Sequence, residues 1–300
     1  FFFVVQVPML TTLRNAHRPL LPMMVRRGAD VACMRSMSTG GGDGPVLVDY
    51  WKDQKALPIV TINRPDQLNA LDMNTLTALA NAIKAVRTSP ETRAIILTGR
   101  GRAFCAGIDL KTAMQIFQGK ENVIGSDRDP VYQMQETKVP IIGAIHGFAI
   151  TGGFELALNC DFLYGTPETK FMDTHCKFGI HPSWGLSMLL SRIVGPMRAR
   201  EVSLTSKPID ATTAKEWGLL NRIVSEEELL PTAGAAAEAI SQNVPDMVGR
   251  FRCLINQSQS LGTDEGLQEE RDLAAVYYRR MTPEMFEQMG QFIKARSKGK

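Results

Sequence analysis

An α/β fold running into a mostly helical C-terminal region is what this chain predicts, on three observations. Apolar, β-rich runs alternate with stretches of helical spacing. Two strand-to-helix junctions carry small residues at the helix entrance. From about residue 196 the strand signals give way to helical segments.

The strand candidates are VLVDYW (46–51), PIVTIN (58–63), AIILTG (94–99) and PIIGAI (140–145), each short, apolar and rich in β-branched residues. Between the second and third, the turn NRPDQLNALD precedes MNTLTALANAIKAV (73–86), whose apolar residues recur at helical spacing. At the first junction AIILTG runs into GRGRAFCAGIDL, and a helix is predicted to start near Gly107 in GIDLKTAMQIF. At the second, PIIGAI runs through HGFAITGG into the helix FELALNC. The C-terminal helices are predicted in MRAREVSLTS, ATTAKEWGLL, TAGAAAEAISQNV, MVGRFRCLINQSQ, GLQEERDLAAVYYRRM and PEMFEQMGQFIKARS. The expected organisation is therefore a leader at 1–42, an α/β core at 43–195 and a helical region at 196–300.

The leader stands apart in composition: Arg14, Arg18, Arg26, Arg27 and Arg35, no lysine, and Asp30 as its one acid. That is the pattern of a mitochondrial transit peptide, with a disordered basic tail on a cytoplasmic protein as the alternative. Taking away its net four positive charges turns the formal +3 of the chain into −1 for residues 43–300. A near-neutral core gives no support to a basic nucleic-acid face, so no nucleic-acid partner is expected. A 44% hydrophobic content suffices for a sizeable core, while no apolar run reaches the ~18 residues of a membrane helix. The chain reads as soluble. Cysteines 33, 105, 160, 176 and 253 show no CxxC pair, and histidines 17, 146, 175 and 181 show no ligand spacing. Reduced thiols and no metal site are expected.

Chemistry concentrates at the two junctions. Glycine lets backbone approach a ligand closely, and a helix N-terminus offers unpaired N–H groups with partial positive charge. The N–H groups of Gly152 and Ala106 are the candidate oxyanion donors. Glu155, among apolar neighbours in ITGGFELALNC, falls in the first helical turn beside them. It reads either as an acid/base group or as an acidic residue complementing the helix dipole. Asp109 reads as a helix cap, and Cys105 as packing.

NRPDQLNAL (63–71), AIILTGRGRAFCAGIDL (94–110), PIIGAIHGFAITGGFELALNCDF (140–162) and SLTSKPIDATTAKEWGLLNRIV (203–224) resemble the signature stretches of the enoyl-CoA hydratase/isomerase, or crotonase, family. The resemblance spans residues 45 to about 295. It implies a crotonase-like spiral of ββα units with a C-terminal α-helical region for trimerisation and CoA closure. It also implies homotrimers or dimers of trimers, an acyl-CoA thioester as partner, and no cofactor beyond the coenzyme A of the substrate. By motif position the family's oxyanion donors map onto Ala106 and Gly152, the two residues already chosen.

In the hydratases of that family two glutamates share a water, and the first falls on Glu155. The second is replaced by His175 in FMDTHCKFGIHPSWG, which is competent for acid/base work near neutrality. Asp173, two residues earlier, would share a face with His175 in an extended segment and could orient the imidazole. Cys176 would then point away as a buried thiol, and a triad of His175 with Ser183 or Ser187 ranks low for want of a nucleophile elbow. Ala106, Gly107, Ile108, Asp109 and Leu110 are expected along the CoA moiety, Trp184 with Pro182 along the acyl pocket, and Phe292 and Lys294 near the adenine and phosphates. The reading is a hydro-lyase hydrating a 2-enoyl-CoA, with an enoyl-CoA isomerase as runner-up. An acyl-CoA decarboxylase or thioesterase, or a non-catalytic or RNA-associated crotonase-fold protein, are the further alternatives.

Overall fold

The structure is a computed structural model that describes residues 43–297. The leader at 1–42 lies outside the described residues. The first predicted runs form β1 (Val46–Tyr50) and β2 (Pro58–Ile62), an antiparallel pair. Helix α1 (Met73–Thr88) follows, capped by Asp72, whose side chain accepts from the Thr75 N–H, and it buries Leu76, Leu79 and Ile83 on one face.

Three successive ββα units come next. They are β3 (Ile95–Gly99), β4 (Ala103–Cys105) and α2 (Leu110–Phe117); β5 (Ile141–Ile145), β6 (Phe148–Ile150) and α4 (Gly152–Leu158); and β7 (Phe162–Gly165), β8 (Lys170–Met172) and the single-turn α5 (His175–Phe178). A further helix, α3 (Pro130–Gln135), sits between the first and second units. The first strand of each unit joins a six-stranded sheet, and the second joins a four-stranded one, β4-β6-β8 plus a later strand. Strands of successive units pair in parallel in both sheets. The chain thus steps from one sheet to the other on every turn, which is the spiral the resemblance implied. Beyond it run α6 (Leu186–Val194), α7 (Pro196–Thr205), β9 (Ile209–Asp210), α8 (Ala211–Glu216), β10 (Arg222–Ile223), and α9 (Glu226–Ser241) to α12 (Pro283–Ser297) by way of α10 (Pro245–Gln257) and α11 (Thr263–Tyr278).

Two expectations need correction. The helix after the first junction begins at Leu110 rather than near Gly107, because Asp109 accepts from the N–H groups of Lys111 and Thr112 and so fixes the start. The cap itself is as expected. His175 lies in a helical turn and not in a strand, since β8 ends at Met172.

Helix α9 docks through one close approach. Gly234 lies so near Trp51 that a Cβ built on it would sit 2.2 Å from the indole, while the indole N–H donates to Glu238 at 3.0 Å. Alanine normally favours a helix over glycine by about 1 kcal/mol. Gly234→Ala is nevertheless expected to destabilise the protein by about 1–3 kcal/mol in urea melts, because the added methyl must displace a buried ring.

Candidate active site

The parallel order β4-β6-β8 brings three chain segments to one place, the C-terminal edge of the smaller sheet. Residues 106–109 leave β4, residues 151–155 leave β6, and residues 173–175 leave β8. Such an edge is where open parallel sheets place ligands.

The first two segments touch through glycine. A Cβ on Gly107 would lie 2.8 Å from the Ile150 carbonyl oxygen, and one on Gly153 would lie 2.1 Å from the carbonyl oxygen of Cys105. Gly107 is also left-handed, with φ +93°. Only residues without a Cβ allow this approach.

Ala106 is not free to be an oxyanion donor. Its N–H donates to the Leu68 carbonyl at 2.9 Å. The neighbouring loop forms a short parallel bridge, Leu71 with Ile108, in which Leu71 N–H meets Gly107 O and Asp109 N–H meets Leu71 O. Ladder geometry then turns the Ile108 N–H the other way, and it lies 3.4 Å from where a Gly152 Cβ would stand. Among the described residues neither Ile108 N–H nor Gly152 N–H donates to any group. The free pair is Ile108 and Gly152. Sequence reasoning placed Ile108 only along the ligand, because the direction of an N–H follows from a pairing that no local pattern reveals.

That bridge rests on NRPDQLNAL. Asn69, fully buried and left-handed at φ +58°, donates to the carbonyls of Ala103 and Arg100 and accepts from the Arg64 N–H. Cys105 is buried beside it and donates to the Asn69 carbonyl, with its thiol pushed up to about 12 by burial, so its packing role stands.

Glu155 sits one turn after Gly152 on α4, hence on the same helix face. It is 3% exposed. Its Oε1 accepts from the Trp184 N–H at 3.0 Å and the Leu186 N–H at 3.4 Å, and so caps the entrance of α6 as well. Its Oε2 lies 3.8 Å from His175 Nε2, an ion-pair distance beyond hydrogen-bond range. Burial pushes the Glu155 carboxyl above its ordinary 4.5, against the opposing pull of His175 and the two amide donors. For His175 burial opposes the charged form, yet the Asp173 hydrogen bond and the Glu155 charge outweigh it and raise the imidazole above 6.5.

Asp173 and His175 do meet, with Oδ1 2.7 Å from Nδ1. The short helical turn makes this contact, where a strand pleat was expected. The same turn leaves Cys176 exposed, correcting its reading as a buried thiol. His175 Nε2 faces Glu155 and not Ser183 or Ser187.

Trp184 is 2% exposed, and its ring lies 3.3 Å from where a Gly152 Cβ would be. It is both a core aromatic and a wall over the free Gly152 amide. Asn159 locks it there by donating to the carbonyls of Trp184 and Glu155. Leu110, 74% exposed, opens toward solvent at the start of α2. Phe292 and Lys294 fall in α12, and their side chains lie outside the described residues.

One further residue escaped the sequence reading. Thr151, β-branched yet held at φ +49°, precedes Gly152 and bonds through its hydroxyl to the Thr174 hydroxyl and N–H. A bulky residue in that region costs on the order of 1–3 kcal/mol. The strain turns the chain into α4 while tying it to the His175 segment.

A cleft of about 990 Å³ lies elsewhere. It opens at the C-terminal end of α4, between Leu158, Phe162, Phe251, Ile255 and Tyr277, and includes neither Glu155 nor His175.

A spiral of ββα units with two free amides beside a buried carboxylate and imidazole defines a crotonase-fold protein. The chain belongs to the enoyl-CoA hydratase/isomerase family, whose family model matches residues 52–294. It is 46% identical over 254 residues to a protein of Arabidopsis thaliana named probable enoyl-CoA hydratase 1, peroxisomal, covering 85% of this chain and 95% of that one. It is 31% identical to a probable mitochondrial enoyl-CoA hydratase of Dictyostelium discoideum, over 80% of this chain and 85% of the relative. The crystal structure of enoyl-CoA hydratase from Bacillus anthracis superposes with a TM-score of 0.75 at 29% identity, over 84% of this chain and 96% of that one.

Proposed function

We propose that the chain hydrates a trans-2-enoyl-CoA reversibly to the 3-hydroxyacyl-CoA. The observation that carries this reading is the pair Glu155 Oε2 and His175 Nε2, 3.8 Å apart, one helical turn from the uncommitted Gly152 amide, beside which stands that of Ile108. The Ile108 and Gly152 N–H groups would donate to the thioester oxygen, draw electrons from the double bond and make C3 electrophilic. Glu155, ionised, takes one proton from water as its oxygen bonds to C3. The imidazolium of His175 delivers its Nε2 proton to C2 as the enolate collapses. Glu155 then returns its proton to Nε2, and both groups are reset.

Relatives named enoyl-CoA hydratase support this reading, and two polar groups facing one gap suit the splitting of a water. An isomerase needs one base moving a proton between carbons, and for it His175 has no evident task. Incubating the full chain with crotonyl-CoA tests the proposal: the conjugated double bond is consumed and 3-hydroxybutyryl-CoA accumulates, whereas an inert protein contradicts it.

Two coarser points belong with it. Helices α10 and α11 bury no residue and expose Phe251, Ile255 and Tyr278, which supports assembly into trimers through the helical region. The Arg-rich leader supports a mitochondrial address, against the peroxisomal name of the Arabidopsis relative. Light scattering and a fluorescent fusion of residues 1–42 check these.

A further inference from the structure

We propose that Asp173 is a positioning residue of this site, fixing the ring orientation and the tautomer of His175 so that Nε2 alone faces Glu155. The inference rests on the hydratase reading above and deepens it. Asp173 is itself buried, at 2% exposure, directly after β8. One oxygen, Oδ1, accepts twice from His175: from the backbone N–H at 3.0 Å and from ring Nδ1 at 2.7 Å. The backbone bond by itself would brace the start of the short helix α5. The ring bond is additional, and its consequence is chemical.

With Nδ1–H committed to Asp173, the proton that His175 can give or take is the one on Nε2. The imidazole is thereby held between two carboxylates, Asp173 on one nitrogen and Glu155 on the other. Ser203, on α7, adds to the influences that hold the Asp173 carboxyl below its ordinary range. These two carboxylates are the charged groups that act on the ring. The charges make sense of the substitution. Two glutamates sharing one proton carry a net charge of −1, and so do Asp173, protonated His175 and Glu155 together. Without the Asp173 charge, His175 and Glu155 would be a buried pair able to neutralise itself by passing one proton across, and that state has neither an ionised base nor a charged acid. Asp173 thus favours the working protonation state, in the way a carboxylate orients a catalytic imidazole elsewhere. His175 is held above its ordinary value and Asp173 below its own, the directions this arrangement requires.

The test is Asp173→Asn, whose amide oxygen can still accept from the His175 backbone and so preserves the turn, measured beside Asp173→Glu and Glu155→Gln in the full chain. Expected for Asp173→Asn is a kcat on crotonyl-CoA lower by about 10- to 100-fold, a KM changed less than about threefold, and an alkaline limb of the pH profile moved to lower pH. Asp173→Glu should recover part of the rate. In ¹⁵N NMR the Nδ1–H of His175 should remain protonated through neutrality in the parent and become a mixture of tautomers in Asp173→Asn. An unchanged pH profile together with an unchanged tautomer overturns the proposal, as does loss of rate accompanied by loss of folded circular dichroism in Asp173→Asn but not in Asp173→Glu. If Glu155→Gln retains the parental rate, the hydratase reading fails. If Glu155→Gln is inactive while Asp173→Asn is indistinguishable from the parent, only the positioning role fails.

Discussion

Glu155→Gln is expected to lower hydration of crotonyl-CoA about a thousandfold while leaving the fold intact. Loss of a positioned acid or base typically costs 10²–10⁴-fold. The fold survives because the amide oxygen of glutamine can still accept from the Trp184 and Leu186 N–H groups that Oε1 now serves. Glutamine also removes a buried charge whose ionisation the site resists. The urea midpoint should therefore move little or rise. Glu155→Ala supplies the contrast: it strips both amides of their acceptor at the entrance of α6, and about 1–3 kcal/mol of stability should go with it. A glutamine variant that keeps more than about a tenth of the parental rate would reduce Glu155 to a helix cap.

The second large effect is at His175. His175→Ala should lower kcat about a hundredfold, and the shape of its pH profile is the more telling result. In the parent the acidic limb reports protonation of Glu155, above 4.5, and the alkaline limb reports loss of the His175 proton, above 6.5. The two interact, so the limbs belong to the pair. Removing the imidazolium removes an influence that lowers Glu155, so the acidic limb moves to higher pH and the alkaline limb disappears. Stability follows the same sign. Because the folded chain holds the His175 proton more tightly than the unfolded one, this contribution is complete below 6.5 and is lost as pH rises through the elevated folded value. The alanine variant should lack that decline. Stability and rate read over one pH series check both statements, and an alkaline limb that persists in His175→Ala contradicts them.

Long apolar runs made much of the scaffold legible. VLVDY, PIVTI, IILTG and IIGAI are strands at the places expected, and the 73–88 helix declares itself by its spacing. The second strand of each ββα unit did not announce itself. Ala103–Cys105, Phe148–Ile150 and Lys170–Met172 are each three residues long, too short for a period-two pattern to emerge, and tertiary pairing alone makes them strands. Yet these three strands assemble the site.

Side-chain chemistry was legible in the same uneven way. Glu155 and Gly152 stood out because a carboxylate after paired glycines is unusual among apolar residues. Ala106 was chosen as a free amide where Ile108 is the one left free, because the commitment of the Ala106 N–H to Leu68 comes from a loop more than thirty residues away. Asp173 and His175 were joined for the wrong geometric reason. A spacing of two suits a strand pleat, but a capped helical turn also closes it.

The most direct test of the central claim is the product formed from crotonyl-CoA in D2O, read by NMR. The account predicts one hydroxyl at C3, a single deuterium at C2 and no deuterium at C4, because water is divided between Glu155 and His175 across one double bond. Deuterium at C4, or a double bond moved to C3–C4 without hydration, would show that Glu155 shuttles a proton between carbons, and the hydratase account would be contradicted.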